Sequence, residues 1–169
     1  MIKSLGQVCN GFTKNIALKD LDNLSGDYPV FGARGFIQNI DSFVSPVEYI
    51  GIVKDGAGVG RANKYPANSS LLGTMQYIIP NEEMDIDYLM YAIRYMNLGK
   101  NGSGAAIPHI YFKDYKKSLI NVREKDEQIK ISNELNNIEN AIKIAKTRVY
   151  SLDELIKSRF ICQRCALWN

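Results

Sequence analysis

Residues 124–160 read EKDEQIKISNELNNIENAIKIAKTRVYSLDELIKSRF, a run without Gly or Pro. Within it Ile131, Leu135, Ile138, Ile142, Ala145, Val149, Leu152 and Ile156 step alternately by four and three residues. This is a heptad seam, and a spacing of about 3.5 residues stays on one helical face only if the helix supercoils around a partner. At about 1.5 Å per residue the run is roughly 55 Å long, too long for a single small domain to cover from end to end. The seam therefore predicts a projecting helix whose eight apolar positions form an interface with another helix. The bland alternative is a long helix folded back on its own domain. The opposite face, with Glu134, Glu139, Lys143 and Lys146, reads as solvated.

Upstream the character changes. Residues 1–123 hold all 13 Gly and all 5 Pro, and short apolar runs alternate with turn signals. Tyr49-Ile-Gly-Ile-Val53 predicts a strand, followed by the turn Lys54-Asp-Gly-Ala-Gly-Val-Gly60. Met75-Gln-Tyr-Ile-Ile79 predicts another, stopped by Pro80-Asn81. Ile86, Leu89, Met90, Ile93 and Met96 recur at helical spacing, with Asp85 or Asp87 as cap and Gly99 as stop. Their methionines and tyrosines are expected to pack a core. The fold expected is thus an α/β (α+β) globular domain over 1–123, a coiled-coil helix over 124–160 and an atypical tail over 161–169.

Composition bounds the function classes. The chain has 169 residues, 46% hydrophobic and 23% charged, which is the make-up of a globular protein with a real core. A net charge of +3 permits nucleic-acid binding without demanding it. No stretch approaches the roughly 18–20 apolar residues that span a bilayer, and no secretory leader is evident, so the expectation is a cytoplasmic protein with no membrane partner. Cys9 stands alone, while Cys162 and Cys165 make one CxxC with His109 far away in sequence. Four zinc ligands are not assembled by that pattern, so no metal is expected, and Cys162 and Cys165 read as part of a loose, reduced tail.

Asp55-Gly-Ala-Gly-Val-Gly60 invites comparison with nucleotide-binding loops, but the match fails. A P-loop needs Lys and Ser or Thr after its last glycine, and a dinucleotide or methyl-donor loop opens straight into a helix. Here the chain continues Arg61-Ala-Asn-Lys-Tyr-Pro66. A glycine-rich hairpin loop fits better, with backbone amides and the cations Lys54, Arg61 and Lys64 offered to a phosphate backbone; the bland reading is a tight turn with solvated charges. A second glycine loop, Gly99-Lys-Asn-Gly-Ser-Gly104, leads to Ile107-Pro-His-Ile-Tyr-Phe-Lys113 and has the donor and acceptor types of base and backbone contact. No catalytic triad, carboxylate pair or cofactor loop is evident, so the protein is expected not to be an enzyme and to need no cofactor.

The order of motifs resembles a target-recognition domain, with the helix that follows it, from the specificity subunits of type I restriction-modification systems. The stretches that carry the resemblance are Ile2-Lys-Ser-Leu-Gly-Gln-Val8, Tyr28-Pro-Val-Phe-Gly-Ala-Arg-Gly-Phe-Ile37, Tyr49 to Gly60, Gly102-Ser-Gly-Ala-Ala-Ile-Pro-His-Ile110, Val122-Arg-Glu-Lys-Asp-Glu-Gln-Ile129 and Leu152-Asp-Glu-Leu-Ile-Lys-Ser-Arg-Phe160. The resemblance implies a domain that grips one half of a split double-stranded DNA target and a helix that acts as spacer and as dock for adenine methyltransferase (modification) subunits, with restriction subunits as possible further partners. Carried over onto matching positions, it implies phosphate contacts from Lys54, Arg61, Lys64 and Lys113, and base contacts from Arg34, Asn101, Ser103 and His109.

Full-length family members have two recognition domains and two helices, whereas this sequence has one of each. A homodimer through Ile131, Leu135, Ile138, Ile142, Ala145, Val149, Leu152 and Ile156 would rebuild the pair and read a palindrome with a spacer. Two rivals differ in kind. One is a small methyltransferase holding its methyl donor on Asp55–Gly60, which the missing helix after the glycines argues against. The other is a dimerising regulatory or silent fragment of a specificity subunit with no DNA-reading role of its own.

Overall fold

Tyr49-Ile-Gly-Ile-Val53 is a strand with every residue buried, and the head is arranged around it. The computed structural model describes residues 1–56, 58–101 and 109–166, with the backbone alone in residues 101 and 160–166. In chain order the elements are β1 (Ile2–Ser4), α1 (Leu5–Val8), β2 (Cys9–Phe12), β3 (Tyr28–Gly32), β4 (Gly35–Ile40), β5 (Tyr49–Val53), β6 (Ala62–Tyr65), β7 (Ser70–Leu71), β8 (Met75–Pro80), α2 (Ile86–Met96), α3 (Phe112–Tyr115), β9 (Leu119–Asn121) and α4 (Lys125–Ala166). The chain divides into two compact units, Met1–Ile129 and Lys130–Asn169.

In the first unit the main sheet has the order β2-β8-β5-β6 and is antiparallel throughout. Strand periodicity sends alternate β5 residues to opposite faces. Ile50 and Ile52 join Leu5, Val8, Ile78 and the α2 residues Leu89, Met90 and Ile93 in an aliphatic core. Tyr49 and Val53 face the other way, into a layer with Tyr65, Leu71, Met75 and Tyr77, against which Phe12 and Phe31 pack. Phe12 and Tyr77 stack at 4.7 Å between centroids. Gly51 is required on this side, because a Cβ there would stand 2.5 Å from the Tyr65 ring.

The aromatic layer is satisfied polar as well as packed. The Tyr49 hydroxyl and the Ser69 hydroxyl are 2.7 Å apart, Tyr77 accepts from the Leu71 amide, and on the other face Tyr115 donates to Gln76 at 2.8 Å. Burial pushes the Tyr49 and Tyr115 hydroxyls well above the ordinary phenol range, and it raises the Cys9 thiol to about 12. A second sheet, β4-β3-β7, carries a smaller core of Leu21, Val30 and Ile40. β1 and β9 pair antiparallel, bringing the start of the unit beside its last strand.

α2 begins as expected at a cap, with Asp85 accepting from the Tyr88 amide at 2.8 Å. It ends earlier than expected: Asn97, with φ 48°, is the left-handed cap, and Gly99 falls in the 3-10 turn Leu98–Asn101 that follows. Asn tolerates that conformation because its short amide costs little there. Pro80 belongs to β8 as its last residue, paired with Cys9 on β2; a missing amide is cheapest at a strand end.

The helix expected over 124–160 is present as α4, and it continues through the residues expected to be a loose tail as far as Ala166. Nothing in Ile161-Cys-Gln-Arg-Cys-Ala166 stops it, since Gly and Pro are absent. Its first turn is anchored by Gln128, whose fully buried amide accepts from the Asp85 amide at 2.9 Å and donates to the carbonyls of Glu83 and Arg123 at 2.9 and 2.8 Å. In the second unit Ile131 and Leu135 are half-buried and Ala145 is exposed, while Ile138, Ile142, Val149, Leu152 and Ile156 are 50–59% exposed.

Replacing Gln128 with Leu removes three hydrogen bonds at once and strands an amide and two carbonyls. The expected cost is roughly 2–4 kcal/mol, read as a lower urea midpoint for the unit Met1–Ile129. Cys9 is expected to resist alkylation in the native protein at pH 8 and to react on unfolding; labelling followed by mass spectrometry checks this.

Candidate nucleic-acid interface

β5 and β6 form the expected hairpin, so residues 54–61 connect two antiparallel strands. The connection is folded on itself. The Gly60 amide donates to the Val53 carbonyl, Val59 to Gly56 and Arg61 to Gly58, while the amides of Lys54 and Asp55 both donate to Thr74. The expectation that these amides face a phosphate is thereby corrected: five of them are already used, because a loop beside a buried strand end must pair its own polar backbone. What remains for a ligand is chiefly the side chains and the backbone at Gly56.

Two glycines in this loop have different physical roles. Gly60, with φ +85°, lies so close to the Gly99 backbone that any Cβ would collide with the Gly99 nitrogen. It welds the hairpin loop to the turn after α2. Gly56, with φ +82°, has nothing within 4 Å of where a Cβ would be, so its backbone is open to approach.

Arg61 bridges elements. Its Nη2 donates to the Ala33 carbonyl at 3.2 Å and its Nε to the Gly58 carbonyl at 3.3 Å. Ala33 and Arg34 are the two-residue turn between β3 and β4, so the exposed Arg34 is held beside the glycine loop although the two are far apart in sequence. On the other side of the loop, His109 Nδ1 meets Asp55 Oδ1 at 2.6 Å and the Ile110 amide donates to the Lys54 carbonyl. Lys54 lies 3.6 Å from the same Asp55 carboxylate, with a side chain only 15% exposed.

Sequence reading missed Arg94. From the last turn of α2 its Nε donates to the Ala62 carbonyl and its Nη2 to Asn63 Oδ1, both at 2.8 Å, and its guanidinium stacks 5.5 Å from the Tyr91 ring centre. Together with Val59, Gly60, Arg61, Ala62, Asn63 and Asn97 it lines an open groove of about 430 Å³. The signal for it was only a lone cation near the end of an amphipathic helix; its place beside Arg61 comes from α2 packing over β6.

The site residues expected from sequence do not all gather. Arg34, Arg61, Lys54 and His109 are drawn together by the hairpin loop and its partners. Lys64 points elsewhere, 2.8 Å from Asp87 in the first turn of α2. Partial burial alone would lower its pKa, but the Asp87 carboxylate, with Glu48 and Asp85 near, leaves it raised. Lys113 is exposed, its ammonium 5.3 Å from the Tyr111 ring centre. The Asn101 side chain and Ser103 lie outside the described residues. Among the described residues no group of His, Cys, Asp or Glu is placed to hold a metal ion, and no helix is long and apolar enough to cross a membrane.

A family model described as the type I restriction modification DNA specificity domain matches residues 1–153. Three solved structures resemble the chain closely in fold. The type I restriction-modification S subunit from M. genitalium superposes with a TM-score of 0.68 at 17% identity, over 85% of this chain and 40% of that one. A structure described as the basis of complex assembly and conformational transition of the type I R-M system gives 0.69 at 18% identity, over 86% and 40%. The HsdS subunit from Thermoanaerobacter tengcongensis gives 0.64 at 19%, over 85% and 38%. The chain thus spans about two fifths of the length of these chains. No curated protein sequence matches it.

Gly60→Ala and Gly56→Ala are expected to differ. Both demand a positive φ from alanine, which costs about 1 kcal/mol, but only Gly60→Ala also drives a methyl into the Gly99 backbone. Chemical denaturation should show the larger loss, about 3 kcal/mol, at Gly60.

Proposed function

Because the chain belongs to the type I restriction-modification DNA specificity domain family, we propose that it recognises one half of a split DNA target and directs the chemistry of partner subunits without catalysing a reaction itself. The observation that carries this reading is the convergence of Arg34, Arg61 and Arg94 around a hairpin loop with an open glycine. Such a surface offers positive charge to phosphates, and the exposed Arg34 guanidinium to a base edge, on a pre-ordered backbone.

In this reading Arg61 and Arg94 grip phosphates, with Lys113 as an outlying cation. Arg34, at the tip of a two-residue turn, reaches a base edge, and His109, oriented by Asp55, is a second base reader together with Asn101 and Ser103. Lys54 and Lys64, each committed to a carboxylate, contribute chiefly to local structure and to the positive field.

The partners are an adenine methyltransferase subunit, with restriction subunits joining the same assembly, and a second copy of this chain. The exposed seam of α4 supports pairing between copies: an apolar stripe left in water on a helix of this length is stabilised by burial against its like. Two heads related by a twofold axis would read an inverted repeat with a spacer. The site of action is the cytoplasm, where the DNA is.

The test is selection from a randomised DNA pool by the protein together with its methyltransferase subunit. The expected product is an inverted repeat whose affinity falls steeply with salt. Arg94→Ala should weaken all sequences alike and reduce the salt slope by about one, whereas Arg34→Ala should cost about 1–3 kcal/mol at its base and relax preference there. Equal binding of selected and random DNA would sink the reading and leave the chain a dimerising regulator. Replacing both Ile138 and Ile142 with Asp should give monomers by sedimentation while leaving the head folded.

A further inference from the structure

The heptad positions of α4 do more than ask for a partner, because their charged neighbours discriminate between ways of meeting it. We propose that two copies pair antiparallel in a single register that sets Ile142 against the partner's Ala145. This rests on the pairing through α4 proposed above and adds its geometry. In that register Ile138 meets the partner's Val149, Leu135 the partner's Leu152 and Ile131 the partner's Ile156, so all eight seam residues have an apolar mate. The twofold axis passes between Lys143 and Ile144.

The flanking residues decide the matter. In an antiparallel coiled coil, residues flanking the same side of the seam face each other across the pair, and their charges set register and orientation. Here Glu139 faces the partner's Lys146, and by symmetry Lys146 faces the partner's Glu139, on either side of the axis. On the opposite flank Ala141 lies beside the partner's Arg148 and Glu134 beside the partner's Leu155, with no like charges opposed.

Sliding by one heptad either way loses this. One shift brings Glu134 to the partner's Arg148, but it puts Glu139 against the partner's Glu139 and strips Leu152 and Ile156 of mates. The other uses only the six seam residues from Ile138 to Ile156, five of which are 50–59% exposed. It sets Lys146 against the partner's Lys146, Arg148 against the partner's Arg148 and Glu139 against the partner's Asp153. A parallel pair sets Arg148 against the partner's Asp153 twice but also opposes Glu134 to the partner's Glu139 twice. Only the alignment centred between Lys143 and Ile144 combines full apolar matching with attractive flanks and no like charges opposed.

The full chain tests this by charge exchange. Glu139→Lys and Lys146→Glu should each weaken self-association at low ionic strength on the order of tenfold, and the double variant should return to within about twofold of the unaltered chain. Mixed in equal amounts, the two single variants should form mixed dimers beyond the statistical share in native mass spectrometry, since both flanks are then attractive. A statistical mixture, or preferential pairing of the unaltered chain with Glu139→Lys, would overturn the register while leaving dimerisation standing. A monomeric unaltered chain would instead remove the pairing on which the register rests. These residues are on the exposed face of α4, so loss of fold does not confound the readout.

Discussion

A strand without a face to water imposes two demands at once. β5 must send aliphatic side chains one way, under α2, and ring-bearing neighbours the other way, into the tyrosine layer. A slip of one residue relative to β6 and β8 would exchange Ile50 and Ile52 for Tyr49 and Gly51 and leave the Tyr65 ring without its space. Register is therefore strongly specified, and with it the point at which the hairpin loop leaves the sheet. The candidate interface inherits its geometry from that point: Arg61 reaches Ala33, Asp55 reaches His109 and Gly60 lies on Gly99 because all are tied to the same buried strand end.

The loop's internal hydrogen bonds shape what it can do chemically. A glycine-rich turn with free amides would be an anion nest; in this one five amides are already bonded within the protein, and it presents cations and an open glycine instead. Guanidinium groups already fixed by backbone carbonyls would, in the proposed reading, lose less freedom on meeting DNA, which favours discrimination over mere stickiness. A modest net charge of +3 is compatible with this, since the positive field is concentrated by placement and not by composition.

α4 solves a separate problem. Its first turn belongs to the head through the Gln128 amide, a buried polar group with all its partners present. Farther along, the helix exposes apolar residues, and the charged residues beside them fit, with no like charges opposed, the antiparallel alignment proposed above. The two ends of the element thus differ: the first is satisfied locally, and the second carries the seam on which the proposed pairing rests.

Sequence reading reached the elements whose signals are local or periodic. The heptad of α4, the β5–β6 hairpin, the cap at Asp85 and the core face of α2 all follow from neighbours a few residues apart. The family resemblance was legible too, because ordered motifs survive without tertiary knowledge. The contacts between elements were not. Asp55 with His109, Arg61 with Ala33, Arg94 with Ala62 and Lys64 with Asp87 join residues separated by 23 to 54 positions. No spacing rule pairs them; α2 packing over β6, and the two sheets meeting at the aromatic layer, do. Periodicity and turn chemistry determined from sequence alone that there is a mixed head and a long helix with an apolar heptad seam. Only the tertiary structure decided which cations face outward together, because a charge is free or committed according to which distant carboxylate or carbonyl the packing brings within about 3 Å of it.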